Sequence, residues 1–139
     1  MAQDFPNLSI IKEASPNISQ YFDILRQKPH HFSLISGDDE YTLPVTLAGG
    51  DGVISVIGQA YPHLFSQMIK LAKENKVQEA YAIHNQMVEI IRLIFLEGNP
   101  CGIKTVLSEK GLIKNHLRLP LIPATKGLQD KIKSVMNLL

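Results

Sequence analysis

The feature that most constrains this sequence is an alternation. Three short apolar segments, at residues 8–14 (LSIIKEA), 31–36 (HFSLIS) and 52–57 (GVISVI), are separated by two stretches of helical period. Each segment combines aliphatic or β-branched residues with small ones and ends in a polar or glycine-rich turn, so each reads as a buried strand. Between the first two, residues 17–26 (NISQYFDILR) place Ile18, Tyr21, Phe22 and Leu25 at three- and four-residue intervals, with Pro16 before them and Pro29 soon after. Between the second and third, residues 39–48 predict a shorter helix stopped by Gly49 and Gly50. Near-continuous apolar strands joined by helical crossovers imply parallel pairing, which makes the first part of the chain an α/β fold of βαβ units.

From Pro62 onward the pattern is helical alone. Leu64, Met68, Leu71 and Ala72 form one apolar stripe. After a polar turn at 73–76, residues 77–95 carry Ala80, Ile83, His84, Met87, Ile90, Ile91 and Ile94 on another, which predicts a helical hairpin. Gly98, Asn99 and Pro100 interrupt the helix, residues 103–110 resume it until Gly111, and Pro120 and Pro123 mark an extended connection before a last helix near 128–138.

Composition excludes several classes of function. A single cysteine, Cys101, cannot form an internal bridge, and no Cys/His cluster has metal-ligand spacing, so no metal is expected and a reducing, cytoplasmic setting is. Apolar runs fall short of the ~18–20 residues that span a bilayer, and residues 1–15 lack the basic start and apolar core of a signal peptide, so no membrane partner is expected. A formal net charge of +1, 6% aromatic residues and no tryptophan give no support for a nucleic-acid partner. Charge is uneven, however: residues 1–99 carry a net −4 and residues 100–139 a net +5. Lysines of the basic part fall mostly between apolar positions, as on solvated faces of short helices.

Lys12 stands out because it lies inside an apolar strand, with Ile10, Lys12 and Ala14 on one face and Ser9, Ile11 and Glu13 on the other. An ammonium there is paired, reaches water, or is partly deprotonated. Burial disfavours its charged form and makes the amine a nucleophile able to form a Schiff base. The alternative is a strand-end lysine facing solvent or paired with Glu13 or Asp38. Ligand sites of parallel α/β proteins gather at the carboxyl ends of strands, which groups Lys12, Gly37 and residues 54–58. Asp38 and Asp39 suit helix capping better than acid–base work. Gly49, Gly50 and Gly52 match neither a dinucleotide fingerprint nor a phosphate loop, since they precede a strand. His84 reads as a core or semi-buried helical residue, His30, His31, His63 and His116 as surface, and Cys101 as a quiet small residue.

Taken together, IIKEASPNI at 10–18, LISGDD at 34–39, GGDGVISVIGQAYP at 49–62, FLEGNPCGIKTVL at 95–107 and LRLPLIP at 117–123 resemble, in order, the C-terminal half of the dihydrodipicolinate synthase family. These are pyruvate-dependent Schiff-base aldolases, and the resemblance covers nearly the whole chain. It implies that Lys12 is the Schiff-base lysine, which condenses with pyruvate and yields an enamine that adds to aspartate semialdehyde. It further implies that Gly37 lines the pyruvate pocket and that the backbone carbonyl of Ile54 faces the bound substrate. No cofactor is expected. The GVISV, NP…K and LRLPL blocks look more like the synthase than like its relative N-acetylneuraminate lyase.

The resemblance also implies a fold: strands six to eight of a (β/α)8 barrel at 1–62, then the last barrel helix and a helical C-terminal extension at 63–139. A complete barrel needs roughly 200–250 residues. Missing from this stretch are the glycine-and-threonine turn that holds the pyruvate carboxylate in the family, the tyrosine that relays protons and the arginine that receives the aldehyde substrate's carboxylate. Two readings follow from the sequence. One is the C-terminal portion of a lysine-biosynthetic synthase that works as a homo-oligomer or with a complementary N-terminal half. The other is either a non-catalytic association module in which Lys12 is vestigial or a fragment of another pyruvate-dependent aldolase such as an N-acetylneuraminate lyase relative.

Overall fold

Strand β1 (Ile10–Glu13), helix α1 (Ile18–Gln27), strand β2 (Ser33–Ser36), helix α2 (Thr42–Leu47) and strand β3 (Gly52–Val53) follow one another in the predicted order. The computed structural model describes residues 4, 5 and 7–139. The strands form one parallel sheet, ordered β1-β2-β3. Lys12 lies beside Ile35, and Ile35 beside Gly52. Parallel neighbours require crossover connections, and α1 and α2 supply them.

Two features depart from the sequence reading. The third strand is shorter than residues 52–57: its ladder ends at Val53, the partner of Ser36, which is the last residue of β2. The Ile54 N–H still donates to the Ser36 carbonyl at 2.9 Å, and the chain then tightens into a 3-10 turn at Ile57–Gln59. Nor is β1 buried on both faces. Ile10 is 60% exposed and Lys12 is exposed, whereas Ile11 is half-buried and Glu13 is buried. One face of the strand is therefore open and the other is covered.

On the covered face Tyr21, Leu34 and Val45 form a core flanked by Ile11, Ile18, Ile24, Leu25 and Tyr41. Phe22, assigned to this stripe by spacing, is 44% exposed. The stripe centres on Tyr21, so the residues three and four away, Ile18, Ile24 and Leu25, flank it, and Phe22 turns outward. Helix α2 starts later than residue 39 because the Asp38 carboxylate accepts the N–H groups of Glu40 (2.9 Å) and Tyr41 (3.1 Å), holding them as a turn. It stops as expected. Gly49 has φ +104°, Gly49 N–H donates to Thr46 and Gly50 N–H to Val45, the paired bonds of a left-handed C-terminal cap.

The described residues divide into two compact units, one comprising those up to Ser55 with Gln67–Tyr81, the other Val56–Ser66 with Ala82–Leu139. Helix α3 (Pro62–Lys73) buries Phe65, Met68 and Ala72. Helix α4 (Val77–Phe95) buries Ala80, Met87, Ile90, Ile91 and Ile94, with Ile83 and His84 half-buried. In the second unit α5 (Cys101–Glu109) packs against α6 (Lys126–Met136), which buries Leu128, Ile132 and Val135. A Cβ on Gly102 would overlap the backbone of Ile94, so α5 meets the end of α4 at backbone contact. Helix α6 begins ahead of residue 128 because Thr125 caps it, accepting the Leu128 N–H while the Glu97 carboxylate accepts the Thr125 N–H at 2.8 Å and its hydroxyl. Among the described residues no helix is long and apolar enough to cross a membrane.

Candidate functional site at the carboxyl ends of the strands

The side-chain alternation of β1 puts Lys12 on the open face of the sheet. Of the alternatives left open by the sequence, the structure shows the solvent-facing lysine: Lys12 is exposed, as are Ile10 and Ala14 on the same face. Among the described residues no carboxylate pairs with Lys12. The Glu13 carboxylate lies on the opposite face, and that of Asp38 is bonded to the loop after β2.

Gly37, the residue after β2, forms the floor beneath this lysine. Its N–H donates to the Glu13 carbonyl at 2.7 Å, continuing the ladder one step past Lys12. A Cβ at Gly37 would sit 2.6 Å from Lys12 Cε and 2.5 Å from Ala14 Cβ. Ala14, which moves only with its backbone, makes glycine necessary here, and the flexible lysine stem occupies the space so left. Ile54 follows β3 on the same face by register and is 57% exposed. It lies two strands from Lys12, on the order of 10 Å at the usual strand spacing. Lys12, Gly37 and Ile54 therefore share one face at the carboxyl ends of three parallel strands.

The back of the same strand end is hydrogen-bonded throughout, and the sequence reading passed over it. Glu13 is 8% exposed, and its carboxylate accepts the Ser15 N–H at 2.7 Å and a Gln20 side-chain N–H at 2.5 Å. Burial alone would raise its pKa, but the bonds from Ser15, Gln20 and the Ala14 backbone outweigh it and hold the carboxyl below its ordinary value. The Tyr21 hydroxyl donates to the Glu13 carbonyl at 2.7 Å. Burial, with the nearby Asp38 carboxylate, pushes the Tyr21 phenol up to about 12, so it remains a donor at neutral pH. The only signal for Glu13 in the sequence was a charged residue on the helix-facing side of a strand.

Cys101 is buried in α5, and Lys110 lies 3.9 Å over the Tyr61 ring in the second unit. Lys126 and Lys133 pair with Asp130 and Glu109. No group of three or more His, Cys, Asp or Glu among the described residues is arranged to hold a metal ion.

A parallel sheet ordered β1-β2-β3 with helical crossovers defines the α/β class, barrel and doubly wound proteins alike, whose ligand sites gather at the carboxyl ends of the strands. A profile of the dihydrodipicolinate synthetase family matches residues 1–138. The chain is 46% identical over 137 residues to the 4-hydroxy-tetrahydrodipicolinate synthase of Phocaeicola vulgatus, covering 99% of this chain and 46% of that protein. Among solved structures, the 4-hydroxy-tetrahydrodipicolinate synthase of Methylacidiphilum fumariolicum SolV superimposes with a TM-score of 0.94 at 33% identity, covering 99% of this chain and 46% of that one. The chloride-inhibited dihydrodipicolinate synthase of Acinetobacter baumannii, solved in complex with pyruvate, superimposes with a TM-score of 0.92 at 28% identity over 97% of this chain and 46% of that one. The chain belongs to the dihydrodipicolinate synthetase family. It spans about half the length of the curated relatives it matches, and its parallel sheet with the crossover helices is a partial (β/α)8 barrel.

Proposed function

We propose that this chain is the C-terminal portion of a 4-hydroxy-tetrahydrodipicolinate synthase and that Lys12 is its Schiff-base nucleophile. The observation that carries this reading is the seat of Lys12 on Gly37: a site where one methyl group would collide with the lysine stem is shaped around that stem. In the proposed reaction the neutral amine adds to the ketone carbon of pyruvate and water leaves as the imine forms. Loss of a methyl proton then gives an enamine, which attacks the aldehyde carbon of aspartate semialdehyde. Gly37 gives the imine room, and the Ile54 carbonyl orients it without adding charge.

In this reading residues 1–62 supply strands six to eight and residues 63–139 the last barrel helix and the helical extension. The open face of β1 is the inner wall of the barrel, completed by a complementary N-terminal half or within a homo-oligomer. The setting is cytoplasmic, in keeping with a lone, buried Cys101.

Incubation with pyruvate followed by borohydride tests the assignment. Peptide mapping should find a 1-carboxyethyl group on Lys12 and on no other lysine, and Lys12→Arg should remove it, because a guanidinium forms no imine. An adduct that persists in Lys12→Arg refutes the nucleophile. A folded chain that takes no adduct supports the non-catalytic module instead.

A further inference from the structure

Resting on the reading of Lys12 as nucleophile, we infer that Glu13, Gln20 and Tyr21 are positioning residues that hold the lysine over Gly37 from the opposite face of the sheet. One oxygen joins the floor to the core. The Glu13 carbonyl accepts two bonds of 2.7 Å, one from the Gly37 N–H and one from the Tyr21 hydroxyl. Gly37 is the floor on which the Lys12 stem rests, and Glu13 is the residue that follows Lys12 in the strand. Floor and nucleophile strand thus meet at an atom that Tyr21 ties to the core. Tyr21 is fully buried against Leu34 and Val45 and stands edge-on to Tyr41, with ring centroids 6.5 Å apart.

The Glu13 side chain adds a second anchor. It joins the β1–α1 loop at Ser15 to the first turn of α1 at Gln20, so the strand cannot rotate about its axis without breaking both bonds. A carboxylate here costs desolvation that an apolar residue on the covered face would not. Its bonds recover that cost and add direction. Direction matters because Lys12 is exposed and its stem is held only where it rests on Gly37. With a flexible side chain, the amine reaches the ketone carbon in bonding geometry only if its Cα and the floor beneath it are fixed. Misplacement of about 1 Å costs on the order of a hundredfold in rate.

The test uses the full chain, pyruvate as probe and borohydride as trap. The amine displaces the ketone oxygen as water, borohydride adds hydride to the imine carbon, and a solvent proton completes the secondary amine. The trapping rate at Lys12 is followed against pyruvate concentration, alongside thermal melting, for Glu13→Ala, Glu13→Gln, Gln20→Ala and Tyr21→Phe. Glu13→Ala and Tyr21→Phe should lower the maximal rate on the order of tenfold with the half-saturating pyruvate concentration unchanged. Glu13→Gln keeps an acceptor for the Ser15 N–H and should recover part of that rate. Gln20→Ala alters an exposed side chain, so it should fold as the parent does and show a smaller loss even if Glu13→Ala does not fold. Parental rates in all folded variants, or losses that only track the unfolded fraction, overturn the positioning role and leave the nucleophile standing. A folded parent chain with no adduct at Lys12 overturns the nucleophile and this inference with it.

Discussion

At Gly37 the site is decided by a single methyl group. Gly37→Ala would bring its Cβ to 2.5 Å from Ala14 Cβ and 2.6 Å from Lys12 Cε. The lysine can swing aside, but Ala14 moves only with its backbone, so overpacking should cost about 1–3 kcal/mol. Pyruvate trapping should fall at least tenfold, since the displaced stem no longer carries the amine to the same point. Denaturant unfolding and borohydride trapping on one sample measure both effects. Tyr21 gives a pH prediction. Its phenol titrates near 10.0 when unfolded and at about 12 when folded. The stability it contributes is therefore complete below pH 10 and is lost as pH rises to about 12. Tyr21→Phe should lack that component, so the stability gap between parent and variant should narrow across this window. The shared placement of Lys12 and Gly37 at the strand ends was legible because a charge inside an apolar strand and a glycine at a strand end are local signals. The Glu13–Tyr21 bond was not, because spacing shows that Tyr21 faces a core without showing which carbonyl its hydroxyl reaches.

Helices were more legible than strands. The stripe from Ala80 to Ile94 marked α4 at both ends, since nineteen residues of one period leave little ambiguity. The sequence of β3 favoured a longer strand than forms, because pairing depends on a neighbour's hydrogen bonds, and the ladder with β2 ends at Val53, the partner of Ser36, with the Ile54 N–H still donating to the Ser36 carbonyl. The start of α6 was set late for a comparable reason: Thr125 is recognisable as a cap only once Glu97, far away in sequence, is seen to hold it. Two substitutions probe the helices. Ile90 is fully buried, and Ile90→Ala should destabilise by about 2–5 kcal/mol in denaturant unfolding. A loss under about 0.5 kcal/mol, typical of surface sites, would mean that the α4 face lacks a core partner. Gly102→Ala should destabilise although alanine is the better helix former, because its Cβ would meet the backbone of Ile94.

For the whole molecule, the open face and free edges of the sheet govern behaviour in solution. Strands β1 and β3 are each paired on one side only among the described residues, and Ile10 and Ile54 are 60% and 57% exposed beside them. Such edges recruit other strands. Sedimentation should show self-association, and a coupled assay should show negligible condensation of pyruvate with aspartate semialdehyde unless an N-terminal half is added. A monodisperse monomer that turns over both substrates alone would contradict the half-barrel reading. The compactness of the site along the chain has a consequence for recombination. Lys12, its glycine floor and the tyrosine behind it all lie within the first βαβ unit, from Lys12 to Gly37. A chimera joined ahead of Ile10 or beyond β3 transfers them together, so imine formation should survive exchange of either flank between relatives. A junction inside α1 between Ile18 and Tyr21 instead pairs one parent's carbonyl with another's hydroxyl, and the two come to register only if both parents set the helix at the same height on the sheet.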